Sequence, residues 1–169
     1  MLPAACVLPC PMYRLHSFLW LLPLLAACDS EDPGTGCSTN GGTVTATIDG
    51  LPFTASCVAA ARTDDGFGFI ADDRTDATSQ FLPRRQLSFD VPAQVRTYAL
   101  GGSTSALAYF SIVPPQGTPI QFPADTGSVV VQSINGRRYQ GTFTFRTGSG
   151  TSAQHTIGSG RFDVTLEGN

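Results

Sequence analysis

Lysine is absent from this chain, and all ten basic residues are arginine. That excludes a Schiff-base lysine and a P-loop, whose lysine holds the nucleotide phosphates. Basic charge is scarce as well. Lys+Arg total 10 against 13 Asp+Glu, giving a net charge of −3 and a pI near 5.1. Such a balance offers no basic patch to neutralise a phosphate backbone, so nucleic acid is not expected as a partner. Histidine occurs twice and tryptophan once, at Trp20. Long apolar runs are missing too. Phe18–Ala27 reaches about half of the roughly 20 residues that a membrane-spanning helix requires. Charged residues make up 14% but apolar ones 41%, which separates the chain from disordered sequences. At 169 residues it has the length of one domain able to bury its own core.

The first segment reads as an address. Met12–His16 is short and basic, Ser17–Leu24 is apolar, and Leu25-Ala26-Ala27 ends in small residues before Cys28. This is the order of a secretory signal peptide. Residues 1–11 add three prolines, two cysteines and no positive charge, so the reading places the true start at Met12. Leu25-Ala26-Ala27-Cys28 resembles the lipobox of bacterial lipoproteins. That resemblance implies cleavage before Cys28 and diacylation of its thiol, a palmitate-type anchor in the membrane. The expected organisation is a leader over residues 1–27, a lipidated cysteine and flexible tether over 28–42, and a β-domain over 43–169. The expected location is the cell envelope, on the periplasmic face or the cell surface. The tether, Asp29–Gly42, is rich in Gly, Ser, Thr and acid and has no apolar periodicity.

With Cys6 and Cys10 in the leader and Cys28 lipidated, Cys37 and Cys57 remain. Outside the cytoplasm they are expected to pair, closing a loop of about 20 residues for about 3 kcal/mol. The alternative is a small buried thiol at Cys57 and a free one at Cys37.

From Thr43 onward the pattern has period two. Thr43–Ile48 alternates, Asp49-Gly50 marks a turn, and Phe53–Arg62 reads as the return strand. Further strands are expected at Phe67–Ala71, Gln86–Val91 and Thr97–Leu100. Leu107–Val113 is apolar on both parities, as in a strand covered on both faces. Pro114–Pro123 holds four prolines and offers only a short edge strand. Ser128–Ile134 and Tyr139–Thr147 flank Asn135-Gly136, a strong hairpin signal. Gly148–Gly160 reads as a Gly/Ser-rich connection and Arg161–Glu167 as the closing strand. About 8–10 short strands without a helical repeat predict an all-β fold, an antiparallel β-sandwich or partly open barrel.

The order of four segments, Val44–Gly50, Thr97–Leu100, Gly127–Val131 with Gly141–Phe145, and Gly160–Val164, resembles a family of envelope lipoprotein β-domains of unknown function. The family's middle segment carries glycine where this chain has Arg96. The resemblance implies a fold and a location but no activity.

Chemistry-bearing residues are few. His155 is the histidine left after leader cleavage, and it sits between Ser149 and Ser159 without a Gly-x-Ser-x-Gly elbow. It reads as an exposed loop histidine, and a hydrolase is not expected. Asp72, Asp73 and Asp76 form an acidic loop able to offer oxygen ligands to calcium, although the spacing fits no EF-hand. Arg74 within it favours a merely solvated loop. No other cofactor is implied. Arg137-Arg138-Tyr139, beside the Asn-Gly turn, is the candidate contact patch, with Tyr109 assigned to the core. These features together read as a non-catalytic binding or assembly module whose partners are the membrane, through the anchor, and another envelope protein or a glycan. The alternative is a glycan- or calcium-binding sandwich.

Overall fold

The structure, a computed structural model, describes residues 41–55, 57–73, 83–116, 118–148 and 154–167. The chain divides into Met1–Glu31 and Asp32–Asn169, and every described residue lies in the second unit. The leader, Cys28, Cys37, Arg74, Asp76 and Ser149 fall outside the described residues.

Among the described residues ten strands follow one another: β1 (Gly42–Ile48), β2 (Leu51–Thr54), β3 (Cys57–Arg62), β4 (Gly66–Asp72), β5 (Arg84–Pro92), β6 (Thr97–Leu100), β7 (Leu107–Val113), β8 (Ile120–Asn135), β9 (Arg138–Thr147) and β10 (Thr156–Thr165). All pairings are antiparallel. The strand order is β2-β1-β10-β9-β8-β7-β5-β4-β3, with β6 paired to β8. The result is the all-β architecture expected from the period-two pattern, built as one strongly curled, open sheet.

Strand β8 makes the curl. Its first residues pair with β7, from Ile112↔Ile120 to Tyr109↔Pro123. Beyond Pro123 that side is taken over by β6, from Leu100↔Gly127 to Thr97↔Val130. Proline has no N–H for the ladder, and the register with β9 shifts between Ala124 and Thr126. Such bulges bend a strand and raise its twist. The short strand expected from the proline-rich stretch is therefore Ile120–Pro123, the opening of a 16-residue strand.

Curling brings β4 and β5 over β9 and β10, and the core between them is aromatic. Ring centroids lie 4.2 Å apart for Phe67–Tyr139, 5.2 Å for Phe69–Phe162 and 4.7 Å for Phe89–Phe143. Room for these rings comes from glycine. Gly141 pairs with Phe162 and Gly160 with Phe143 across β9 and β10. A Cβ at Gly141 would stand 2.5 Å from Phe162 Cζ, and one at Gly160 would stand 2.4 Å from Phe143 Cδ2. Only a residue without a side chain lets the opposite ring lie across the backbone.

Three expectations are corrected. The return strand Phe53–Arg62 is two strands: β2 pairs with β1, whereas β3 pairs with β4 at the far end of the strand order. The β8–β9 hairpin forms, but Asn135 pairs with Arg138, so its loop is Gly136-Arg137. Gly136 at φ 60° supplies the left-handed first position. A one-residue slip would turn Tyr139, Phe143 and Phe145 out of the core. Finally, β10 begins at Thr156 within the stretch expected as a connection, and the bulge between Ile157 and Gly160 holds Ser159 at φ 50°.

Candidate functional site

A concave feature lies on the outer face of β3, β4, β5 and β7. The inward residues of these strands, such as Phe67, Phe69 and Phe89, fill the core. Their neighbours of opposite parity face outward in two registered rows. One row runs Ala59, Ile70, Ser88, Tyr109, and the other runs Ala61, Gly68, Asp90, Leu107. Together with Thr63 they line an open groove of about 450 Å³. The small residues Ala59, Ala61 and Gly68 make the hollow, and the larger apolar ones stand around it. Ile70 is 47% exposed and Leu107 45%. Tyr109, assigned from the sequence to the core, is half-buried and lines this groove instead. Asp90 is the groove's carboxylate, and it accepts a hydrogen bond from Thr63 Oγ1 at 3.1 Å.

The acidic loop has a different structure from a cation cradle. Asp72 is buried, and its Oδ2 accepts from Arg84 Nη1 at 2.8 Å. Asp73 accepts from Arg85 Nε at 2.6 Å and from the Arg85 amide at 2.8 Å. Both carboxylates are engaged by arginines that follow in β5, and neither arginine belongs to the expected ligand set. The Arg85 guanidinium lies 5.6 Å from the Phe53 ring centroid, which ties the pair to β2. Among the described residues no group of three His, Cys, Asp or Glu is arranged to hold a metal ion. Asp76 lies outside them.

The arginine patch is also committed. Tyr139 is 3% exposed and its ring packs at a tilt against that of Phe67, so the tyrosine of the expected contact patch belongs to the core. Tyr139 shares its face with Phe143 and Phe145, which alternation on a strand requires. Arg137 donates to the Leu166 carbonyl and accepts from the Leu166 amide through its own carbonyl. Arg138 forms a two-pronged pair with Asp163, Nε to Oδ1 at 2.7 Å. The hydrogen bond from Arg138 holds the Asp163 carboxyl below its ordinary pKa against partial burial, with help from Gln140, and the same bond raises Arg138.

His155 is not a loop side chain exposed to solvent. Its Nδ1 lies 2.7 Å from Asp49 Oδ2, and the Thr156 amide donates to Asp49 Oδ1 at 2.8 Å. An ionised carboxylate only accepts, so Nδ1 carries the proton. The Phe110 and Phe122 rings stand edge-on to the imidazole at 4.6 and 4.8 Å. Partial burial pushes the Asp49 carboxyl up. The bonds from His155 and Thr156 and the attraction of the imidazole outweigh it, and the group titrates below its ordinary value. Among the described residues no hydroxyl or thiol bonds the other ring nitrogen, Nε2. The pair therefore works as a clamp between the β1–β2 turn and the start of β10.

Cys57 is disulfide-bonded, and its partner lies outside the described residues. No protein-family model, curated protein or solved structure matches the chain. Two of the four segments noted in the sequence, Gly141–Phe145 and Gly160–Val164, are the ones that interleave glycines with rings across β9 and β10.

Proposed function

We infer that the chain is a lipid-anchored envelope protein whose β-domain serves as a non-catalytic binding or assembly module. The anchoring half rests on the basic and apolar leader that ends in Leu25-Ala26-Ala27-Cys28. Two or more acyl chains hold a protein stably where one is marginal. The binding half rests on one observation, the open apolar groove on the outer face of β3, β4, β5 and β7. Its supporting context is how the domain uses its polar groups. Asp49, Asp72, Asp73 and Asp163 each pair with a histidine or an arginine of the same fold, which suits rigidity more than turnover.

The anchor is tested by growing cells that express the full chain with labelled palmitate and partitioning the lysate between detergent and aqueous phases. Label in the chain and recovery in the detergent phase are expected, and both should disappear on Cys28→Ser. An unlabelled, water-phase wild-type chain would remove the lipoprotein reading.

A further inference from the structure

We propose that the groove on β3, β4, β5 and β7 receives an apolar segment of another polypeptide that carries a basic residue. This rests on the binding-module reading above and names the chemistry of its partner. The floor is made by Ala59, Ala61 and Gly68, and the walls by Ile70, Leu107 and Tyr109. At about 450 Å³ it falls in the range of sites that take a few side chains or a small ligand.

The charge around it is one-sided. Asp90 lies in the groove, and its bond to Thr63 leads directly to the two-residue turn Asp64-Asp65, closed by reciprocal bonds between Thr63 and Gly66. Among the described residues none of these three carboxylates has an ion-pair partner. The four acids named above, in contrast, all have one. Arg62 precedes Thr63 but has the parity of the core-facing Val58 and Ala60, opposite to the groove. An apolar trough with an unpaired acidic end fits aliphatic or aromatic side chains next to a lysine or arginine. Complementary charge of this kind steers encounter and rejects acidic competitors. It also argues against an anionic lipid surface, which would repel the same carboxylates.

The test uses the full chain in nanodiscs of zwitterionic phosphatidylcholine and two fluorescent peptides, Gly-Ser-Leu-Lys-Phe-Lys-Leu-Ser-Gly and its counterpart with glutamate for lysine. Anisotropy should show binding of the lysine peptide, at least about tenfold tighter than the glutamate peptide, a difference of about 1.4 kcal/mol. Asp90→Lys and Ile70→Ser should each weaken it about tenfold. Val95→Ser, an exposed apolar residue between β5 and β6, should change it less than about twofold. Circular dichroism of each variant verifies the fold. Equal affinity for the two peptides, or no effect of Asp90→Lys, overturns the proposal. So does a concentration-dependent dimer that Ile70→Ser dissolves, which would make the occupant a second copy. Adhesion to phosphatidylglycerol discs that Ile70→Ser abolishes would make it a membrane. A chain that fails to enter nanodiscs but binds the lysine peptide in free solution would sink the anchor reading alone.

Discussion

A single methyl group at Gly160 tests the packing that holds the two halves of the sheet together. Gly160 pairs with Phe143, and an added Cβ would lie 2.4 Å from two ring carbons of Phe143 and 2.6 Å from its carbonyl oxygen. The φ of Gly160 lies outside the left-handed region, so the backbone itself would accept alanine. In open space Gly→Ala at such a position stabilises by about 0.4–1 kcal/mol, through the lost freedom of the unfolded chain. Overpacking a filled core costs about 1–3 kcal/mol. The clash here includes a main-chain oxygen fixed in the β9–β10 ladder, so the cost should lie near the top of that range. We expect Gly160→Ala to lose about 2 kcal/mol net, which at this domain size lowers Tm by roughly 8 °C. Thermal unfolding followed by circular dichroism measures it. Phe143→Leu removes the ring that the methyl group meets, so Gly160→Ala should cost less by about 1 kcal/mol or more in that background, a coupling typical of residues in contact. A neutral or stabilising Gly160→Ala, or strict additivity of the two changes, would refute the account of glycines making room for rings.

Three other outcomes follow from the same geometry. Tyr139→Ala should cost about 3 kcal/mol or more in urea denaturation, as other large-to-small core changes do, whereas Arg138→Ala should leave the urea midpoint nearly unchanged, because its pair with Asp163 is solvent-exposed. Asp49 has a depressed pKa in the fold, so its stabilisation is present above the unfolded value of about 3.9 and is lost as pH falls through the folded value. Asp49→Asn should therefore lower the urea midpoint at pH 6 and make little difference near pH 2; an equal deficit at both would place the effect elsewhere. Cys57→Ser should destabilise by roughly 3 kcal/mol, and a reductant should lower the wild-type Tm while leaving the variant's unchanged.

Much of the fold could be read from alternation. Thr43–Ile48, Thr97–Leu100 and Leu107–Val113 stand in strands at or within a residue of where period two puts them, because a strand with one buried face has no other way to arrange its apolar residues. Partner choice could not be read. Phe53–Arg62 looks like one return strand, but local pattern carries no information about which neighbour a strand takes. Only tertiary packing sends Cys57–Arg62 to β4. Side-chain pairing was hidden for a similar reason. Asp72-Asp73 invites a cation in the sequence, and Arg84-Arg85, which neutralise it, are a dozen positions away. Tyr139 looked exposed because it adjoins a turn and two arginines. Its parity with Phe143 and Phe145 was the better guide, since parity decides the face and proximity to a turn does not.

The groove left a trace that is open to two explanations. Leu107–Val113 is apolar on both parities, which suits a strand covered on both faces. The structure covers both faces only toward the strand's end, where Ser111 and Val113 are buried; toward its start Ala108 and Phe110 lie in the core and the opposite face is open, with Leu107 45% exposed. Ile70 on β4 and the run Ala59-Ala60-Ala61 on β3 repeat the feature, with apolar residues where a solvated sheet face would carry polar ones. Each departure alone is what any strand tolerates. Only the registers Ala59↔Ile70, Ile70↔Ser88 and Ser88↔Tyr109 bring them together on one surface. Scattered exposed apolar residues need no explanation, whereas their gathering from β3, β4 and β7 around Ser88 and Asp90 of β5 does. The unpaired carboxylates at one end of that surface then narrow the explanation from burial in general to a partner that brings positive charge.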